Sequence, residues 1–86
     1  MSQPETKIMR AIRHELNSTG RVRLIRNNVG VDVEHGIKFG LGVGSADLVG
    51  LLKGGRCMAI EVKTPVGRMR PEQAAWWVAF RKWGGL

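Results

Sequence analysis

The chain has 86 residues, with 14 Lys+Arg against 7 Asp+Glu and a formal net charge of +7. One domain is the only sensible count at that length, and its core is small enough to gain from a partner or a metal. The charge excess points to a polyanion, nucleic acid before an anionic membrane: no apolar run is long enough to span a bilayer, and no secretory pattern opens the chain. The single cysteine, Cys57, excludes an internal disulfide framework and a multi-cysteine zinc site, reads as a small packed side chain, and suits a reducing cytoplasm.

Ser2-Gln3-Pro4-Glu5 predicts a helix start, with Ser2 as cap, Glu5 completing a capping box and Pro4 in the first turn. The helix runs to about Asn17 on an apolar stripe of Ile8, Ile12 and Leu16, and "NSTG" stops it. "RVRLIR", Arg21 to Arg26, alternates basic and apolar residues as a strand whose outward face carries three arginines. From Asn27 to Gly44 the glycines make the chain pliable. "KFGLGVG" reads as a short strand or as a loop that approaches another backbone closely. It is not a dinucleotide fingerprint, because Ser45 stands where a further glycine is needed and a strand follows in place of a helix. "ADLVGLLKGGRCMAIEVKT" predicts two strands joined at Gly54-Gly55. The second alternates Ile60, Val62 and Thr64 with Glu61 and Lys63. "TPVGRMR" is a loop, Pro71 opens a second helix, and Gly84-Gly85 closes it. Arg70 is a poor cap, so that helix start needs another group for its amides. The fold class is α/β: a small mixed β-sheet flanked by two helices.

Asp47 and Glu61 lie on adjoining strands. A strict two-residue turn at Gly54-Gly55 would place them on opposite faces. An odd-length turn or a bulge, or Asp47 lying just before regular pairing, brings Asp47 to the side of Glu61 and Lys63. The odd register also gathers Leu48 and Leu52 with Met58, Ile60 and Val62 on the other face. Two converging carboxylates raise each other's proton affinity, and a divalent cation removes the repulsion. Mg²⁺ and Mn²⁺ take oxygen ligands and suit phosphate chemistry, and Lys63 would add a positive charge beside the reacting phosphate.

"GSAD" followed by "AIEVK" resembles the PD-(D/E)XK nuclease signature. With "PET" in the first helix, "RNNVG", "GVGSADLVGLL" and "TPVGRMRPEQAAW", nearly the whole chain is similar to the VRR-NUC (virus-type replication-repair nuclease) branch, with its restriction-endonuclease-like core. The resemblance implies a single nuclease domain over residues 1–86. It makes Asp47, Glu61 and the Val62 carbonyl metal ligands, Lys63 the catalytic lysine, Glu5 a first-helix acid acting at the metal directly or through water, and Gln73 an assisting residue. It also implies Mg²⁺- or Mn²⁺-dependent phosphodiester hydrolysis, no organic cofactor, and, for stand-alone phage members, homodimers acting on branched DNA such as Holliday junctions. The setting would be the cytoplasm of a bacterial or phage-infected host cell. Two positions depart from the pattern. Ala46 replaces the motif's proline, and the chain stops at Leu86 where the family usually continues into another strand, which leaves either a dimer that compensates or a domain lacking its final strand.

Each position also has a plain structural reading. Glu5 can be only a capping-box acid, Asp47 a turn residue, Glu61 and Lys63 a solvated ion pair, and Gln73 a polar residue of a first helical turn. One geometry and one chemistry unite them in the nuclease reading. Arg21, Arg23, Arg26, Arg68 and Arg70 are candidates for DNA phosphate contacts. Trp76, Phe80 and Trp83 recur at helical spacing beside Trp77, which favours core or dimer packing over base stacking. His14 and His35 read as surface residues. The alternatives are a non-catalytic basic nucleic-acid-binding module and a nuclease subunit active only with a partner.

Overall fold

The computed structural model describes residues 3–63 and 65–86. In chain order the elements are α1 (Gln3–Asn17), β1 (Val22–Arg26), β2 (Gly30–Asp32), β3 (Ile37–Phe39), β4 (Leu48–Leu52), β5 (Cys57–Ile60) and α2 (Pro71–Lys82). The capping role expected of Ser2 and the strand position of Thr64 lie outside the described residues. Among these residues no helix is long and apolar enough to cross a membrane.

β1, β4 and β5 form an antiparallel sheet in the order β1-β4-β5, and β2 and β3 form a separate hairpin. Leu86 adds a parallel pairing beside β5: its N–H donates to the Cys57 carbonyl at 2.9 Å and its carbonyl accepts from the Ala59 N–H at 3.1 Å. α1 packs on one face, where Met9, Val22, Leu24, Leu48 and Val62 form the core, joined by Ile12, Leu16, Leu52, Met58 and Ile60. The core stripe of α1 is thus Met9-Ile12-Leu16. Ile8 is 46% exposed, because the buried line is rotated from the Ile8-Ile12 face by one residue.

The β4–β5 connection follows the odd register. Leu48 lies opposite Ile60 and Leu51 opposite Cys57. The Leu52 N–H donates to the Arg56 carbonyl at 2.8 Å, so three residues, Lys53 to Gly55, make the turn. Leu48, Leu52, Met58, Ile60 and Val62 therefore share the α1 face, as their apolar character requires. On the opposite face Cys57 is exposed, not packed: it sits opposite Leu51 near the turn, and Leu51 is itself 53% exposed.

The outer edge of β1 is closed by a side chain. Asn17 Nδ2 donates to the Leu24 carbonyl at 3.0 Å, and its Oδ1 accepts from the Leu24 N–H at 2.7 Å. The residue that ends α1 thus imitates one step of a neighbouring strand and blunts the edge. The three arginines of Arg21 to Arg26 do not share an outward face: Arg21 precedes β1, which holds Arg23 and Arg26. Arg26 lies opposite the buried Leu48 and has the parity of Val22 and Leu24, but at the strand end it is exposed.

Candidate active site

Extending the β4–β5 ladder by one step sets Asp47 beside Glu61, and side-chain bonds take over there from the backbone ladder. The Asp47 N–H donates to Glu61 Oε1 at 3.2 Å, and the Val62 N–H donates to Asp47 Oδ2 at 3.0 Å. This exchange explains why β5 ends at Ile60 while the alternation of Ile60, Val62 and Thr64 predicts a longer strand. Two expected routes to convergence occur together: an odd-length turn, and Asp47 placed just before regular pairing.

Gln73, the third residue of α2, locks the second oxygen of Glu61. Its Nε2 donates to Glu61 Oε2 at 2.8 Å, while its Oε1 accepts from Lys63 Nζ at 3.1 Å and from the Arg70 N–H at 2.9 Å. Gln73 is 5% exposed, and these three partners are what make a buried amide tolerable. It also takes the Arg70 N–H just before the helix, while the Arg70 carbonyl accepts from the Gln73 and Ala74 N–H groups, so one side chain ties the start of α2 to the carboxylate. Lys63 Nζ lies 3.6 Å from Glu61 Oε2. The Glu61 side chain is 9% exposed, and its pKa is pushed up to about 7. Burial contributes most, followed by the Asp47 charge and a hydrogen bond with the Asp47 side chain; the Lys63 charge pulls the other way.

The loop before β4 aims Asp47. Asn27, just past β1, donates through Nδ2 to Ser45 Oγ at 2.7 Å and to the Ala46 carbonyl at 2.8 Å, and its Oδ1 accepts from the Leu41 N–H at 3.1 Å. Its own N–H donates to the Asp47 carbonyl at 2.8 Å. Gly44, at φ +86°, passes so close to the Glu72 carbonyl of α2 that a Cβ would collide with it. Glycine is therefore required where the loop meets the helix, and this confirms a close backbone approach in "KFGLGVG". Asn27 was not legible as a site residue. "RNNVG" marks a turn, but the partners of Asn27 lie in a loop more than ten positions away and leave no local pattern.

Arg26, Phe39, Ser45, Asp47, Glu61, Arg70 and Gln73 help line a cleft of about 550 Å³, a size that accommodates a small ligand or part of a larger one. Arg26 and Arg70 thus reach the site, although Arg70 Nε also lies 3.4 Å from Glu72. Lys63 lines a shallower concavity on the other side of Glu61, beside Trp77. Glu5, half-buried in the first turn of α1, is not among the cleft-lining residues. Arg21, Arg23 and Arg68 also stand outside it. Arg23 shares a second concavity at the edge of β1 with Arg10, Arg13 and His14. Trp76 and Phe80 stack with centroids 4.8 Å apart, and Trp77 meets both edge-on. Trp83, in contrast, is 84% exposed, so helical spacing does not carry it into the core.

The donor set suits a hard divalent cation. Both acidic side chains offer oxygen only, and burial beside the Asp47 charge raises the proton affinity of Glu61, where a cation would otherwise neutralise the charge. Among the described residues no further acid, histidine or cysteine joins the pair in a metal-holding group. A family model described as the VRR-NUC domain matches residues 4–86. No curated protein and no solved structure matches the chain.

Proposed function

The chain belongs to the VRR-NUC family, a PD-(D/E)XK-like nuclease domain, and from that premise we propose that it is a Mg²⁺- or Mn²⁺-dependent DNA endonuclease with a preference for branched structures such as Holliday junctions. The observation that carries this reading is the Asp47–Glu61 junction, with a buried glutamine and a lysine fixed on the same carboxylate. Asp47 and Glu61, with the Val62 carbonyl, hold the cation. Once bound, the ion supplies positive charge that offsets the two carboxylates and polarises the scissile phosphate. Gln73 holds Glu61 in one orientation, so the site needs little rearrangement on loading. Lys63 places a cation where negative charge develops during attack by water. Arg26 and Arg70 take the phosphates next to the cut. Arg21, Arg23 and Arg68 contact the backbone farther along, and the shared concavity of Arg23 with Arg10 and Arg13 extends that path. The placement of Glu5 leaves it a role through a water molecule.

The working unit is a homodimer. Trp83 at 84% and Val78 at 71% exposure leave α2 with apolar surface that the single chain does not cover. Cytoplasm of a bacterial or phage-infected cell is the setting, where the exposed thiol of Cys57 stays reduced.

Incubation with four-way, flap and linear DNA in Mg²⁺, Mn²⁺ or EDTA tests this reading. Metal-dependent incision that is strongest on branched DNA and lost in Lys63→Ala is the expected result. Salt-sensitive binding without incision in any metal would leave only a basic DNA-binding module. Light scattering tests the dimer, and Trp83→Ala should weaken it.

A further inference from the structure

We propose that Phe39 is a base-stacking platform, and that the cleft takes a nucleotide whose base is unpaired beside the cut. This rests on the nuclease reading of the same cleft and names the class of substrate it receives.

Phe39 ends β3 directly opposite Gly30 of β2. A Cβ on Gly30 would lie 2.5 Å from Phe39 Cζ, so the ring end is seated on bare backbone and any other residue at position 30 would displace it. The next residue, Gly40, runs so close to the Asn28 carbonyl that a Cβ there would also collide. The ring end thus rests on Gly30, and the backbone just after Phe39 is held against Asn28. It is nevertheless 47% exposed, and it lines the cleft that contains Asp47 and Glu61. Val29 and Val43 line the same cleft, giving it an apolar wall apart from its acidic and basic residues.

The β2–β3 hairpin pairs with no third strand among the described residues, so the wall is not the inner face of a larger sheet. Paired DNA presents sugars and phosphates to such a cleft and keeps its base faces inside the helix. An unpaired base presents a π-face, and stacking on an aromatic side chain contributes independently of base identity. A ring already held in place gives up little rotamer freedom when the base arrives. Arg26 and Arg70 supply phosphate contacts in the same cleft, so the pocket can hold a nucleotide by both of its chemical ends.

The test uses a duplex with a short single-stranded thymidine overhang and the same duplex with abasic residues in the overhang. Both carry the same phosphates. Binding is followed by fluorescence anisotropy in EDTA, where divalent ions are absent. Wild type should bind the thymidine probe roughly tenfold more tightly than the abasic probe, in line with ordinary stacking strengths. Phe39→Leu keeps apolar cover on Gly30 and should erase that preference without weakening the abasic probe; Phe39→Trp should restore it. Equal binding of the two probes by wild type, a preference retained by Phe39→Leu, or no binding to either probe would overturn the proposal. Cleavage in Mg²⁺, measured in parallel, separates the two readings. Incision without a base preference removes the stacking platform and keeps the nuclease. A base preference without incision does the reverse.

Discussion

The two faces of the β1-β4-β5 sheet are built from the same strands to opposite purposes. On the α1 side, Leu24 and Leu48 are almost wholly buried and pack with Met9. On the other side Ile25 and Leu51 stay more than half exposed, and the strand ends carry Asp47 and Glu61. The first face contributes the apolar burial that holds so small a domain together. The second gathers like charges and costs stability until something neutralises them. The register that sends Leu48 and Leu52 to one face sends the carboxylates to the other, so the stable face sets the geometry of the unstable one.

The largest effect that separates the faces should come from Asp47→Asn. The amide oxygen can still accept from the Val62 N–H, so the fold should persist, while the charge that holds a cation is gone. Cleavage should fall by about a thousandfold or more with an unchanged circular dichroism spectrum. An active Asp47→Asn protein would remove the carboxylate pair from the chemistry. On the opposite face, Leu48→Ala should cost about 2–5 kcal/mol in denaturant unfolding, because Leu48 is 0% exposed. If Leu48→Ala were as stable as wild type, the α1 face would not be the structural half of the sheet.

The sequence made the sheet and its register readable because apolar and charged residues alternate there with period two. Segregating Leu48, Ile60 and Val62 from Asp47, Glu61 and Lys63 rules out a strict two-residue turn with regular pairing, and leaves an odd turn, a bulge or Asp47 just before regular pairing. Lys63 and Gln73 were readable through the family motif, and their contact with Glu61 follows once α2 starts at Pro71. Asn27 and Phe39 were not readable. The first acts through a loop more than ten positions away, and the second depends on a missing Cβ across a hairpin whose strands are only three residues long. Trp83 stayed open between core and dimer packing for a related reason: helical spacing reports which residues share a face, but not what covers it. Ile8 missed the core by one residue of rotation, a difference that a short apolar stripe cannot resolve.

Gln73 ties the start of α2 to the carboxylate side of the sheet. Gln73→Ala should leave the Arg70 N–H without its acceptor, at a cost of about 1 kcal/mol, and release Glu61 Oε2. Manganese affinity or cleavage rate should fall roughly tenfold to a hundredfold, the usual range for a partner that orients a ligand. Titration calorimetry beside an unfolding curve separates the two losses. A variant that loses only stability would reduce Gln73 to a helix-start residue.

The smallest effect, and the one most specific to the contrast between faces, is in pH. The pKa of Glu61 in the metal-free fold stands near 7, against an ordinary value of 4.5. Because it is raised in the folded state, protonation favours folding. That contribution is complete below about pH 4.5 and is lost as the pH rises through about 7. The metal-free protein should therefore unfold at lower denaturant concentration at pH 8 than at pH 6, and Mn²⁺ should restore stability at pH 8. Cation and proton compete for the same carboxylate, so Mn²⁺ affinity should rise up to about tenfold per pH unit below 7 and level off above it. Leu48 and its apolar neighbours carry no titrating group, so Leu48→Ala should lower stability at both pH values while keeping the pH difference. Asp47→Asn removes the carboxylate charge that raises Glu61, and should reduce the pH difference even in a fully folded protein. A pH difference that survives Asp47→Asn in full would leave the burial of Glu61, and not the Asp47 charge, as its cause.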